Sequence, residues 1–94
     1  MSKERAVLVG LVWESGLPDL DELAALAETA GAEVVERVVQ KRDRPDPAYF
    51  IGAGKAALIR EMVEETAADV VIFDEELTPV QQRNLEALFG VKTI

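Results

Sequence analysis

A run of apolar residues near the N-terminus constrains the fold more than any other feature of this sequence. Residues 5–13 are apolar at every position after Arg5 except Gly10, and three of them are valines. A strand that is apolar on both of its faces must be covered on both, and a parallel sheet flanked by helices provides that cover. The run therefore predicts a central strand of a parallel sheet.

The segments that follow alternate between helix and strand patterns. Asp19 and Glu22 have the spacing of a helix capping box, apolar residues continue at helical spacing, and Gly31 ends the pattern. In residues 33–41 the apolar residues come in pairs, which predicts a strand that lies near the sheet edge or carries a bulge. Residues 42–54 contain two prolines and two glycines without sustained periodicity, so we expect them to form the long loop of the domain.

The second half of the chain repeats the alternation. Residues 55–67 have the apolar spacing of an amphipathic helix, and residues 69–73 form a short apolar strand. A capping box in residues 78–81, with proline at the first helical position, starts a helix that stops at Gly90. Residues 91–94 are expected to form the last strand.

This order of elements, β-α-β-loop-α-β-α-β, predicts the fold class. Alternating strands and helices give an α/β domain with an open, mainly parallel four-stranded sheet and helices packed on its faces. We expect a flavodoxin-like strand order. With 94 residues, the chain has room for one core, so residues 1–94 are expected to form a single domain.

Composition narrows the chemistry that this chain can perform. Cysteine and histidine are both absent, which removes disulfides, thiolate nucleophiles, imidazole bases and the usual zinc ligands. We predict no catalytic residue, metal or cofactor. Without cysteine, a leader sequence or a membrane-spanning stretch, we expect a cytoplasmic protein. Because the sequence stops inside a strand pattern, we interpret the chain as a fragment or an engineered domain.

One segment is basic against an acidic background. Residues 41–55 hold four cations and two anions, so this segment has a charge of +2. The rest of the chain has a charge of −10, which gives the net charge of −8. Tyr49 and Phe50 lie inside this segment. Cations can neutralise phosphates and aromatic rings can stack on unpaired bases, which suits RNA. In the alternative interpretation the two rings anchor the loop to the core and the charges are solvated.

Two further patterns admit a nucleotide. Gly52, Gly54 and Lys55 resemble part of a phosphate-binding loop, but Tyr49 stands where the first glycine of that motif belongs and Ala56 where its hydroxyl belongs. We favour a flexible start of the helix over a phosphate site. The acidic residues 74–76 follow a strand and could bind magnesium, although we favour a solvated loop beside the next helix.

Two long strings of residues resemble the N-terminal domain of the HflX family. The first is residues 40–55, and the second is residues 71–86, whose most specific part is Gln-Gln-Arg-Asn-Leu-Glu at 81–86. The resemblance implies a domain that precedes a helical segment and a GTPase domain. It also implies association with the large ribosomal subunit, in a protein that splits or rescues ribosomes under stress. Because the GTPase motifs are not in this sequence, we expect a non-catalytic, regulatory domain.

Carried over position by position, the resemblance gives two sets of site residues. The expected RNA contacts are Lys41, Arg42, Arg44 and Lys55, to which the composition of the basic segment adds Tyr49. The residues expected to pack against the GTPase and helical domains are Asp74, Gln81, Arg83 and Asn84. Two alternatives remain open: an isolated or engineered domain without activity, and a weak nucleotide-binding domain that uses Gly52 and Gly54. The edge strand at the C-terminus is the expected surface for a homodimer.

Overall fold

The computed structural model describes residues 3–12, 20–41 and 44–94. Four strands and three helices alternate along this part of the chain. In chain order they are β1 (Glu4–Val12), α1 (Asp21–Thr29), β2 (Ala32–Lys41), α2 (Ala53–Thr66), β3 (Val70–Phe73), α3 (Pro79–Phe89) and β4 (Lys92–Thr93). No helix in these ranges is long and apolar enough to cross a membrane.

The four strands form one parallel sheet in the order β2-β1-β3-β4. This confirms both the α/β class and the flavodoxin-like order expected from the sequence. β1 and β3 have a neighbour on each side, and the side chains of residues 6–9 in β1 are fully buried. The apolar run near the N-terminus is therefore a central strand, as predicted.

β2 lies at the sheet edge and carries the irregularity that its paired apolar residues predicted. Ala6 pairs with Val34, but Val7 pairs with Glu36, so Val35 is an extra residue on β2. One extra residue shifts the alternation of side chains by one position. The bulge explains the first pair, because Val34 and Val35 pack on opposite faces of the sheet. In the second pair Val38 is buried and Val39 is exposed.

The two faces of the sheet are covered unequally. On one face, α2 and α3 pack large side chains against β1 and β3, among them Ile59, Leu85 and Phe89. On the other face α1 contributes mainly alanines, Ala24 and Ala27, together with Leu20 just before the helix. The bulk of the core therefore lies between the sheet and the α2–α3 pair.

The helix boundaries agree with the sequence only in part. The capping box of α3 is present, with Thr78 and Gln81 bonded reciprocally. α1 begins at Asp21, because Leu20 accepts the first helical hydrogen bond, from Ala24; the predicted cap, Asp19, lies outside the described residues. α2 begins at Ala53, two residues earlier than predicted, because the carbonyl of Gly52 already accepts from the Ala56 N–H.

Candidate nucleic-acid interface

The basic segment contains a closed turn rather than an irregular loop. The backbones of Asp46 and Phe50 exchange two hydrogen bonds of 2.9 Å each. The carboxylate of Asp46 accepts from the N–H groups of Ala48 and Tyr49 at 2.9 and 2.7 Å. An Asp followed by Pro is a signal for such a turn, but from the sequence Asp46 was expected only to contribute a negative charge. We refer to residues 46–50 as the Asp46 turn.

The two aromatic residues of the turn differ in burial. The ring of Phe50 is buried and meets Phe73 edge to face, with ring centroids 5.5 Å apart and an interplanar angle of 88°. Tyr49 is 39% exposed. Each of the two interpretations made from the sequence therefore fits one residue. Phe50 anchors the segment to the core, whereas Tyr49 is accessible to a ligand.

Helix α3 holds the backbone of the turn through side-chain amides. The Nε2 of Gln81 donates to the carbonyl of Asp46 at 2.8 Å, and the Nδ2 of Asn84 donates to the carbonyl of Ala48 at 3.0 Å. Downstream of the turn, Gln40 accepts from the Gly52 N–H at 2.8 Å. Sequence reasoning missed Gln40, and it expected interdomain packing of Gln81 and Asn84. Their amide donors are engaged inside this domain, and the interdomain role stays a prediction.

The predicted RNA contacts lie on one end of the sheet but differ in exposure. Lys41 ends β2 and Arg44 precedes the turn, and both are exposed, whereas Lys55 is half-buried in the first turn of α2. Within the described part of the chain, neither Lys41 nor Lys55 forms an ion pair. Arg42 lies outside the described residues.

A shallow apolar groove adjoins the turn. Its volume is about 250 Å³, and its lining residues are Tyr49, Ala53, Ala56, Ala57, Arg60 and Leu88. The groove lies between α2 and α3, and Tyr49 lines it together with three alanines of α2. Arg60 supplies its cation and is held loosely, with the guanidinium 3.9 Å from Glu64.

Asp74 and Arg83 are the exposed members of the second predicted set. Asp74 follows β3 at the carboxyl edge of the sheet, and its N–H donates to the carbonyl of Val9 at 3.0 Å. Partial burial raises the pKa of the Asp74 carboxyl, and the negative charge of Glu75 raises it further, against a hydrogen bond from the Leu11 backbone that lowers it. Arg83 is exposed on α3.

The positions suggested for a nucleotide or a metal are the start of α2 and the acidic residues 74–76. Gly52 is the N-cap of α2, and Gly54 lies in the first helical turn with open space where a side chain would point. Among the described residues, no three His, Cys, Asp or Glu side chains are arranged to hold a metal ion. The nucleotide interpretation stays a prediction.

The fold and the site together define an open parallel α/β domain in which a basic segment, residues 41–55, contains the Asp46 turn and follows strand β2. A family model described as GTP-binding GTPase N-terminal matches residues 18–94. The chain belongs to this GTP-binding GTPase N-terminal family, and the resemblance to HflX drawn from its residues is confirmed.

The relatives are longer proteins that carry the name GTPase HflX. The chain is 42% identical over 93 residues to the GTPase HflX of Escherichia coli (strain K12), covering 97% of this chain and 22% of that protein. It is 43% identical over 93 residues to the GTPase HflX of Caldanaerobacter subterraneus subsp. tengcongensis, covering 98% and 22%. The chain thus spans about a fifth of the length of these curated relatives.

Solved structures support the fold. The chain superimposes on the crystal structure of SsGBP with GDP at a TM-score of 0.71 and 20% identity, covering 96% of this chain and 25% of that one. A GTP-binding protein from the archaeon Sulfolobus solfataricus, in complex with GDP, gives a TM-score of 0.65 and 23% identity, with coverages of 97% and 27%. At these identities the likeness establishes the fold alone.

Proposed function

We propose that this chain is a non-catalytic, regulatory domain of an HflX-type GTPase that binds RNA of the large ribosomal subunit in the cytoplasm. The observation that carries the proposal is the Asp46 turn, in which Tyr49 is exposed while hydrogen bonds hold the backbone; the exposed Arg44 precedes the turn by two residues in the sequence. The resemblance to a ribosome-associated family supports the same partner.

The charge distribution suits a local contact with RNA. The chain carries a net charge of −8, so most of its surface repels phosphates, and the segment from Lys41 to Lys55, with a charge of +2, is the proposed place of attraction. Each cation that neutralises a phosphate releases counterions and makes binding weaker at high salt. An exposed ring adds stacking on an unpaired base, which contributes about 1–3 kcal/mol per base.

The exposed members of the second set are proposed to contact the helical and GTPase domains. Asp74 and Arg83 lie near the turn-bearing end of the molecule and on α3, so one surface would serve both the RNA and the attached domains. A regulatory role follows if binding of RNA to this surface changes its contacts with the attached domains. The outer edge of β4 remains the proposed surface for a homodimer.

Co-sedimentation of the chain with purified large ribosomal subunits, over a range of salt concentrations, tests the RNA proposal. Arg44→Glu should weaken binding at low salt and reduce the slope of log affinity against log salt by about one. Lys92→Glu is the matched control, because it makes the same charge change at an exposed position on the opposite edge of the sheet. Reversing Arg42 together with Arg44 should weaken binding further.

The result that would refute the proposal is equal binding by Arg44→Glu and Lys92→Glu. Tyr49→Ala separates stacking from charge, since it should lower affinity without changing the salt slope. Absence of binding by the wild-type chain at low salt would place ribosome affinity in other parts of the relatives' longer chains.

A further inference from the structure

The Asp46 turn is built in a conformation that its own residues do not favour. Phe50 has a φ of 66°, in the left-handed region that non-glycine residues rarely adopt. Such a residue keeps its conformation only while surrounding contacts enforce it. Two of those contacts are anchored outside the turn, on α3.

We propose that Gln81 and Asn84 are positioning residues, which fix the Asp46 turn in one conformation and thereby set its affinity for RNA. This inference rests on the proposed function, because it assigns the two residues a role in the same interface. Neither residue is proposed to touch RNA.

The geometry of α3 fits this role. Gln81 and Asn84 are three residues apart, so their side chains lie on the same face of the helix. Their amide groups reach carbonyls that are two residues apart in the turn, those of Asp46 and Ala48. The spacing of the two amide donors on α3 therefore matches the spacing of the two carbonyl acceptors in the turn.

Gln81 also ties the turn to the start of α3. Its Oε1 accepts from the Thr78 N–H at 2.9 Å while its Nε2 donates to the Asp46 carbonyl at 2.8 Å, and the residue is 4% exposed. Both ends of one buried amide are used, so its orientation is fixed by the capping box. The donor aimed at the turn is preorganised for the same reason.

A fixed turn increases affinity because conformational freedom that is already restricted in the free protein does not have to be lost on binding. If the turn samples several conformations, the Tyr49 ring and the neighbouring cations face RNA together only part of the time. The apparent affinity then falls by the fraction of molecules in the competent conformation. The number of phosphate contacts in the bound state stays the same, so the salt dependence should not change.

The substitutions that test this inference remove one donor at a time. Gln81→Glu keeps an acceptor for the Thr78 N–H, as the capping box allows, but loses the donor to Asp46. Its control is Gln82→Glu, because Gln82 also donates its amide to a backbone carbonyl, that of Thr93 at 2.9 Å, away from the turn. Asn84→Ala, with Gln82→Ala as control, removes the second donor without adding charge.

Two measurements are made on each variant. Amide hydrogen exchange of Ala48, Tyr49 and Phe50, compared with amides of β1, reports the order of the turn without any ribosome present. Co-sedimentation with purified large subunits reports affinity and its salt slope. We expect Gln81→Glu and Asn84→Ala to speed exchange in the turn but not in β1, and to lower affinity by roughly threefold to tenfold at an unchanged salt slope. The Gln82 variants should match the wild type in both.

Each other outcome counts against the inference in a distinct way. Unchanged exchange in the turn would show that Gln81 and Asn84 do not hold it. Faster exchange with unchanged affinity, while Arg44→Glu still weakens binding, would overturn the positioning role and leave the proposed function intact. Equal binding by Arg44→Glu and its Lys92→Glu control would overturn the function, and the link between turn order and RNA with it.

Discussion

Replacing Ala67 with glycine should stabilise the domain, against the usual effect of glycine at a helical position. Ala67 is the C-cap of α2 and has a φ of 54°, in the left-handed region, where its methyl group is close to the backbone. Gly90 is the C-cap of α3 and has nearly the same backbone conformation, with a φ of 73°. The two helices therefore end in the same way with different residues.

The magnitude follows from two opposing contributions. A non-glycine residue in the left-handed conformation costs about 1–2 kcal/mol, and glycine relieves that cost. Glycine also gives the unfolded chain more freedom, which takes back about 0.4–1 kcal/mol. The net gain for Ala67→Gly is then about 0.5–1 kcal/mol, or roughly 3–6 °C in the melting temperature of a domain of this size.

Urea denaturation of three variants would check this reasoning. Gly90→Ala should lose about 1 kcal/mol for backbone reasons alone, because a side chain there would meet no atom within 4 Å. Ala57→Gly, at an exposed position inside α2, should lose about 1 kcal/mol. A loss of stability in Ala67→Gly comparable to that in Ala57→Gly would refute the left-handed cap and the argument built on it.

Two further predictions concern the interface. Phe50→Ala should lower the free energy of unfolding by about 3–5 kcal/mol, because the ring is buried against Phe73, whereas Tyr49→Ala should cost far less. Equal losses in urea titrations would contradict the difference in burial between the two residues. Because the pKa of Asp74 is raised in the folded state, the folded protein holds that proton more tightly than the unfolded chain, so stability falls as the pH rises through the raised pKa. The stability of Asp74→Asn relative to the wild type should therefore increase from acid to neutral pH. A difference in unfolding free energy that does not change with pH would contradict the raised pKa of Asp74.

The features that the sequence predicted are those encoded by residues close together in the chain. The capping box of α3 involves Thr78 and Gln81, three positions apart, and both of its hydrogen bonds are present. The bulge in β2 follows from paired apolar residues around Val35. Strand order also came from local patterns, since short right-handed connections leave few arrangements of a β-α-β chain.

The features that the sequence did not predict depend on distant contacts. Gln81 reaches a carbonyl 35 residues away, and Asn84 one that is 36 residues away; no spacing rule connects such pairs. The left-handed Phe50 runs against residue preference, which would place glycine there. Its burial against Phe73 is a tertiary effect that prevails over the local rule.

The unequal cover of the two sheet faces has a consequence for how this domain comes apart. α1 is held by small side chains such as Ala24 and Ala27, so lifting it off the sheet exposes less apolar area than separating α2 and α3 would. The local unfolding event with the lowest free energy therefore separates α1 from the sheet. The Asp46 turn and its hydrogen bonds to α3 remain in place. In that state Leu8 and Val70 would be exposed to water. At high protein concentration the molecules would then aggregate through this apolar face while the proposed RNA interface is still folded.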